Sequence, residues 1–496
     1  MREIVTLQFG QQANYLGTHY WNTQESYFTY SGEDESPVDH DISFRAGIGA
    51  DGAETYTPRT LLYDLKGAFG TLRRENALYE LQNQEDPARQ GQWTGVREAL
   101  HLPRIAASPY QTALDAGVPP PSLSTDSVRF WSDYNHIFYH PRSIIQLSEY
   151  ELNSDLMPFE LWSKGEELFA NLDREHDLLD RDLRPFLEEC DQLQGIQLFS
   201  TTDDAWGGFA SKYLERVNDE LGKGCRWLFG LSDSQRTTRD RQSQRLANTA
   251  QSLYALDPSA SIHIPVHNLP PHLPSYVSLD AFSQWSTSAL QAAAIESTTL
   301  PTRLRSAQSG RATFDTLETT LNGDGNRRIA GLSLSASVTS LTSEILDIDF
   351  FPHVSASSAS ESRRQSRTSN PQIFSKVSTI RSETASDHDD GQDTTETRRR
   401  QYGGPRTSKF MTALLFPMLS SYPTSVLHFP GRPQKVAVKT ALQTSSQISE
   451  RLRAIGNVAS RMTSVDEREA LCDGLAAMAD EYEEGWMSDS EDDDDE

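Results

Sequence analysis

The chain is poor in cysteine, with only Cys190, Cys225 and Cys472 in 496 residues. Spacing that wide excludes a disulfide framework and a local zinc box, and a reducing compartment is the simplest setting. Long apolar runs are absent too, since nothing approaches the roughly 18 residues that span a bilayer. No transmembrane segment is expected, which leaves peripheral contact as the one form of membrane association. Basic residues are outnumbered, with Lys and Arg at 45 against 71 Asp and Glu, a net charge of -26. Direct nucleic-acid binding, which needs clustered cations to neutralise phosphates, is therefore not expected. The apolar fraction of 36% and mean hydropathy of -0.58 are low for a chain packed throughout, so part of it should be unstructured. The opening "MREIVTLQFG" has neither the apolar core of a signal peptide nor the Arg-rich character of a presequence. Any organelle role is thus expected on the cytosolic face.

What is present first is alternation. Over residues 1–256, strand-like runs such as "EIVTLQF", "RTLLYDL", "RSIIQL", "GIQLFS" and "CRWLFGL" alternate with helical patterns. That predicts an α/β domain built on a parallel sheet, with ligands outside the carboxyl ends of its strands. Residues 80–127, with "PPPS", read as an insertion, and "RFWSDYNHIFYHP" (129–141) as an amphipathic helix with Trp131, Tyr134 and Phe138 inward. A helix bearing Leu183, Phe186, Leu187, Cys190 and Leu193 on one face should end at Gly195. A second, α+β domain is expected over 257–354 and 410–482, interrupted by a disordered insert at 355–409 rich in Ser, Thr, Arg and Asp. Residues 483–496 form an acidic tail.

Several segments together resemble a known family. "MREIVTLQFGQQANYLG" is similar to the first strand, glycine turn and first helix of tubulins, "YTPRTLLYDLK" to the tubulin segment near the nucleotide's metal, and "CDQLQGIQLFS" to the approach to the tubulin phosphate loop. "RFWSDYNHIFYHPRSI", with "CDQLQGIQ", resembles the Misato family, tubulin-related proteins of mitochondrial distribution and mitochondrial DNA inheritance.

The resemblance implies a nucleotide site at Gly10, Gln11, Asn14, Asp64, Gly207, Gly208 and Asn248. The residues themselves argue that this site is vestigial. In "TTDDAWGGFA" only two glycines remain, Trp206 brings a bulky ring, and Asp203 and Asp204 are carboxylates where a phosphate would sit. Two unit charges about 4 Å apart repel by about 4 kcal/mol at an effective dielectric of 20. The plainer role for Asp203 or Asp204 is to cap the following helix. Lys66 stands where tubulins usually carry an acid and cannot hold magnesium. Asn248 resembles the asparagine that tubulins place against guanine from their central helix. That helix should be followed by another, carrying an acid for the next subunit's GTP, yet only "DPSAS" (257–261) precedes "IHIPV". Catalysis driven by head-to-tail assembly is therefore not expected.

His136 and His140 lack a third metal ligand, and no nucleophile signature is present. The expectation is a protein that is not an enzyme and has no cofactor or metal, acting as scaffold or adaptor in mitochondrial partitioning, at mitochondria and in cytoplasm. Its expected partners are mitochondrial surface proteins, tubulin or chaperonin. One alternative is a divergent GTP-binding GTPase with Gly10, Gln11, Gly207, Gly208 and Asn248 as its site; another is a cytosolic factor acting on tubulin or its folding machinery. Ser488 and Ser490, set among acids, suit an acid-directed kinase.

Overall fold

A computed structural model describes residues 2–29, 35–49, 54–72, 105–222, 224–235, 237–306, 310–338, 346–351, 371–383, 404–462 and 465–483, together with Gly52 and Gln308. The acidic tail beyond residue 483, with Ser488 and Ser490, lies outside these residues.

The first half runs β1 (Glu3–Phe9), α1 (Gln11–Glu25), β2 (Phe44–Ile48), β3 (Glu54–Pro58), β4 (Thr60–Lys66), α2 (Pro109–Asp115), β5 (Ile144–Glu151), α3 (Trp162–His176), α4 (Arg184–Glu188), β6 (Leu193–Thr201), α5 (Ala205–Leu221), β7 (Cys225–Ser232), α6 (Arg239–Leu256) and β8 (Ile262–His267). Six of these strands form one sheet in the order β5-β4-β1-β6-β7-β8, every pair parallel. All seven residues of β1 are buried, as a strand covered on both faces requires. The expected α/β domain is present.

The second half runs α7 (Gln284–Thr299), α8 (Phe314–Leu321), β9 (Gly331–Ser337), β10 (Ile348–Asp349), β11 (Ile373–Arg381), β12 (Arg406–Thr412), β13 (Phe416–Pro417), β14 (Lys435–Ser445), α9 (Gln447–Met462) and α10 (Val465–Asp480). Its sheet has the order β10-β9-β14-β11-β12, with β11 and β12 parallel and the other pairs antiparallel. Helix α7 is buried at every position after Gln284, which suits its run of small residues "ALQAAAI" and its weak amphipathic pattern. It packs against α1 on one side and β14 on the other, and so joins the two halves.

Three expectations need correction, and the segment read as an insertion gains an element. The segment 129–141 is not an amphipathic helix: only Trp131–Tyr134 form a short 3-10 turn, and Phe138 is 45% exposed. Asp133 takes the backbone N–H groups of Arg129 and Phe130, and Asn135 donates to the Ile137 carbonyl, so side chains claim backbone groups that a helix would need. The helix before Gly195 stops at Glu188, and Leu193 already belongs to β6, paired with Glu3. Within the insertion at 80–127, α2 forms behind a Ser108 cap and buries Tyr110. Within the range 355–409, β11 is a strand between β14 and β12, and β12 itself begins at Arg406. The residues flanking β11, 352–370 and 384–403, lie outside the described ones.

Arg381, the last residue of β11, explains why that strand is retained. Its guanidinium is fully buried and donates to Glu296 Oε2 of α7 at 2.5 Å and to Tyr27 Oη at 2.7 Å. The other oxygen of Glu296 accepts from Gln24 at 2.8 Å and from Arg303 at 3.2 Å, and Arg303 also donates to Tyr20 at 2.7 Å. One carboxylate thus holds two buried guanidiniums and Gln24 of α1, and through Arg303 reaches Tyr20 as well, binding both halves at a single point.

Candidate functional site

The carboxyl ends of β1, β4 and β6 meet where the nucleotide-like residues were expected. Strand β1 ends at Phe9, and Gly10 turns the chain into α1 with φ of +86°. A side chain at Gly10 would be strained and blocked, since a Cβ there would lie 2.5 Å from Trp206 Nε1 and 2.7 Å from its Cδ1. The indole therefore covers the face of Gly10. Trp206 is only 5% exposed, and it stacks on Phe9 with ring centroids 6.5 Å apart and meets Phe159 edge-on at 5.2 Å. Aromatic packing occupies the space that the backbone of a glycine turn would open to a phosphate.

Asn14, one turn into α1, donates to Asp64 Oδ2 at 2.7 Å, and Asp64 Oδ1 accepts the Leu65 N–H at 2.9 Å. Asp64 is fully buried at the end of β4. Burial pushes its carboxyl up to about 7, while the bonds from Asn14 and Leu65 pull it down and Asp204 pushes it further up. Gln11 is half-buried in the first turn of α1, and Lys66 is exposed. No group of three or more metal-ligating side chains occurs among the described residues.

The loop "TTDDAW" is held by its own acids. Asp204 caps α5, accepting the Trp206 N–H at 2.9 Å and the Thr201 hydroxyl at 2.6 Å. Asp203 accepts the Asp233 N–H at 3.0 Å, tying the loop to the end of β7. Burial, then the adjacent carboxylate of Asp204, raises Asp203; burial raises Asp204. The capping role expected for one of the pair falls to Asp204.

The two glycines of α5 have helix partners in place of a phosphate. A Cβ at Gly207 would come within 2.2 Å of Ser252 Oγ on α6, and one at Gly208 within 2.0 Å of the Trp162 carbonyl at the start of α3. Asn248 spends its amide internally, donating to the carbonyls of Glu160 at 2.7 Å and Asp203 at 3.0 Å and accepting the Trp162 N–H at 3.1 Å. Gly10, Asn14, Asp64, Gly207 and Gly208 thus gather round Trp206 and the loop, and Asn248 braces the loop from α6.

Topology corrects one further reading. Helix α6 is a crossover between the parallel strands β7 and β8, so Asn248 does not lie on the central helix. That place belongs to α7, and a further helix, α8, does follow it, with Asp315 in its first turn. The shortness of "DPSAS" therefore says nothing about a missing acid. The sequence signal missed was α7 itself, whose small, uniformly apolar run reads as a buried helix.

Comparison with known proteins agrees with this architecture. Residues 2–116 match the Misato Segment II tubulin-like domain, and residues 120–304 match a tubulin domain. Protein dml1 of Aspergillus clavatus is 46% identical over the whole of both chains. Protein DML1 of Coccidioides immitis is 45% identical, and Protein dml-1 of Neurospora crassa 43%, each again over the full length of both chains.

Proposed function

Because this chain belongs to the Misato family of tubulin-like proteins, we propose that it works without catalysis, as a scaffold or adaptor in partitioning mitochondria and transmitting mitochondrial DNA. The observation that carries the noncatalytic half is the Trp206 ring against Gly10, 2.5 Å from where a Cβ would stand. A polyphosphate seated there would have to displace an indole buried among Phe9, Phe159 and Phe209. It would also approach three carboxyl groups, those of the buried Asp64 and Asp203 and the half-buried Asp204. The mitochondrial half rests on the family resemblance of "RFWSDYNHIFYHPRSI" and "CDQLQGIQ". In this reading the tubulin-derived core offers a surface to proteins on the cytosolic face of the organelle.

Equilibrium titration with labelled GTP, with and without magnesium, tests the first half; no saturable binding is the expected result, and submicromolar affinity would favour a divergent GTPase. Gln11 supplies a cellular counterpart. Being half-buried, it tolerates replacement, so a Gln11→Ala chain should restore mitochondrial DNA inheritance fully in cells depleted of the protein. Purification of native complexes separates mitochondrial surface proteins from tubulin and chaperonin as partners.

A further inference from the structure

A cavity of about 1350 Å³ lies between α6, the carboxyl ends of β7 and β8, and α9. It adjoins the loop of the candidate site through Asp203 and Asn248, but neither Gly10 nor Trp206 lines it, so the plugged turn itself is not part of it. Four of its lining residues carry a buried polar atom without a hydrogen-bond partner, Trp162 Nε1, Thr237 Oγ1, His263 Nε2 and Arg451 Nε, and two of these residues are ionisable. His263 on β8 is only 5% exposed, yet its Nε2 makes no hydrogen bond. Arg451 lies on the core-facing side of α9, in register with the buried Ile448 and Ile455. Its buried Nε has no acceptor, and no ion pair reaches its guanidinium among the described residues.

Arg451 as a whole is half-buried, and holding the Nε edge of its guanidinium away from water without an acceptor carries a desolvation cost. Burial alone pushes Arg451 down to about 10, with no carboxylate offsetting it. Of the three acids on the wall, Asp233 pairs with Arg245 at 3.0 Å, Asp203 accepts a backbone N–H, and Asp240 stands exposed beside Arg239. Arg239 and Arg461 add positive charge at the same wall, in a chain whose net charge is -26. Ile329, Phe351, Leu452 and Ile455 add apolar lining.

We propose that this cavity binds a phosphate monoester with an apolar or aromatic body, the phosphate held by the fork of Arg451 and the body resting on Ile329 and Phe351. A guanidinium presents two parallel N–H donors that match two phosphate oxygens. His263 Nε2 supplies a further polar contact, and the volume exceeds what most small ligands need. The ester could be a soluble metabolite or a short lipid headgroup with its chain, since both share this chemistry.

The test is calorimetric titration and thermal unfolding of the full chain with inorganic phosphate, phenyl phosphate, adenosine monophosphate and dihexanoyl phosphatidic acid. At least one ester should bind tenfold or more tightly than inorganic phosphate and raise Tm, and whether an aromatic or an acyl ester does so identifies the source. Arg451→Met should weaken that ester at least tenfold while leaving the unliganded Tm unchanged or higher, because it replaces an unpaired, half-buried charge by an apolar chain. Arg451→Lys, which keeps the charge but not the fork, should weaken it several-fold. The proposal is overturned if no ester shifts Tm, if binding in both variants stays within twofold of the original, or if Arg451→Met lowers the unliganded Tm markedly.

Discussion

Asp64 illustrates how a residue inherited for one purpose alters the pH response of the fold. Its folded-state carboxyl titrates at about 7 against an ordinary 3.8, because burial outweighs the bonds from Asn14 and Leu65. A raised acid contributes stability that is present at low pH and lost as pH rises through the folded value, here between about 4 and 7. Asp64→Asn should therefore unfold at higher denaturant than the original at pH 8 and near the same midpoint at pH 4, with a gain of up to about 4 kcal/mol. The new amide can be accommodated because Asn14 Oδ1, unpartnered at present, can accept from it after a flip of the Asn14 amide. Trp206→Ala should cost about 3–5 kcal/mol in chemical unfolding, as expected for emptying a buried aromatic site. At this scale the sequence was partly legible. The carboxylates of the loop announced a cap, and Asp204 is one. The role of Gly207 and Gly208 was not legible, because a glycine that admits a phosphate and one that admits a neighbouring helix leave the same letter.

Helix α7 and strand β11 show what local pattern conceals. A helix buried on all sides loses the alternation of polar and apolar faces by which helices are recognised, and α7 was passed over for the more amphipathic α6. Strand β11, "IFSKVSTIR", lies in surroundings rich in serine and arginine, so composition averaged over the window hid it. Its membership in the sheet is fixed by partners far along the chain, β14 and β12, which no local reading supplies. The parallel strands of the first sheet, by contrast, were legible because their continuous apolar runs are themselves the mark of burial on both faces. Glu296→Ala should lower stability by about 3–5 kcal/mol, since it leaves Arg303 and Arg381 buried without their carboxylate. Thermal unfolding followed by circular dichroism should show one transition at lower temperature, with both halves lost together, because Glu296 connects α1 to β11.

Across the whole molecule, charge and fold are separable. Eight acids lie in 484–496, outside the described residues, and the chain remains acidic without them. Removing 484–496 should leave the unfolding midpoint unchanged while reducing retention on a polylysine resin and the salt sensitivity of that retention. The broad α/β organisation and the family were readable from the first 256 residues, because strand, glycine turn and helix recur there at close spacing. The second half was readable only in outline.

The lodging of Arg381 beneath Leu414 and Leu415, whose carbonyls it also meets at 2.7 and 2.8 Å, sets a rule for how this lineage can vary in length. Related chains should gain or lose residues freely on either flank of β11, at positions corresponding to 352–370 and 384–403, while the nine residues Ile373–Arg381 keep their number. Aligning many relatives would reveal two separate zones of drift with a short fixed island between them.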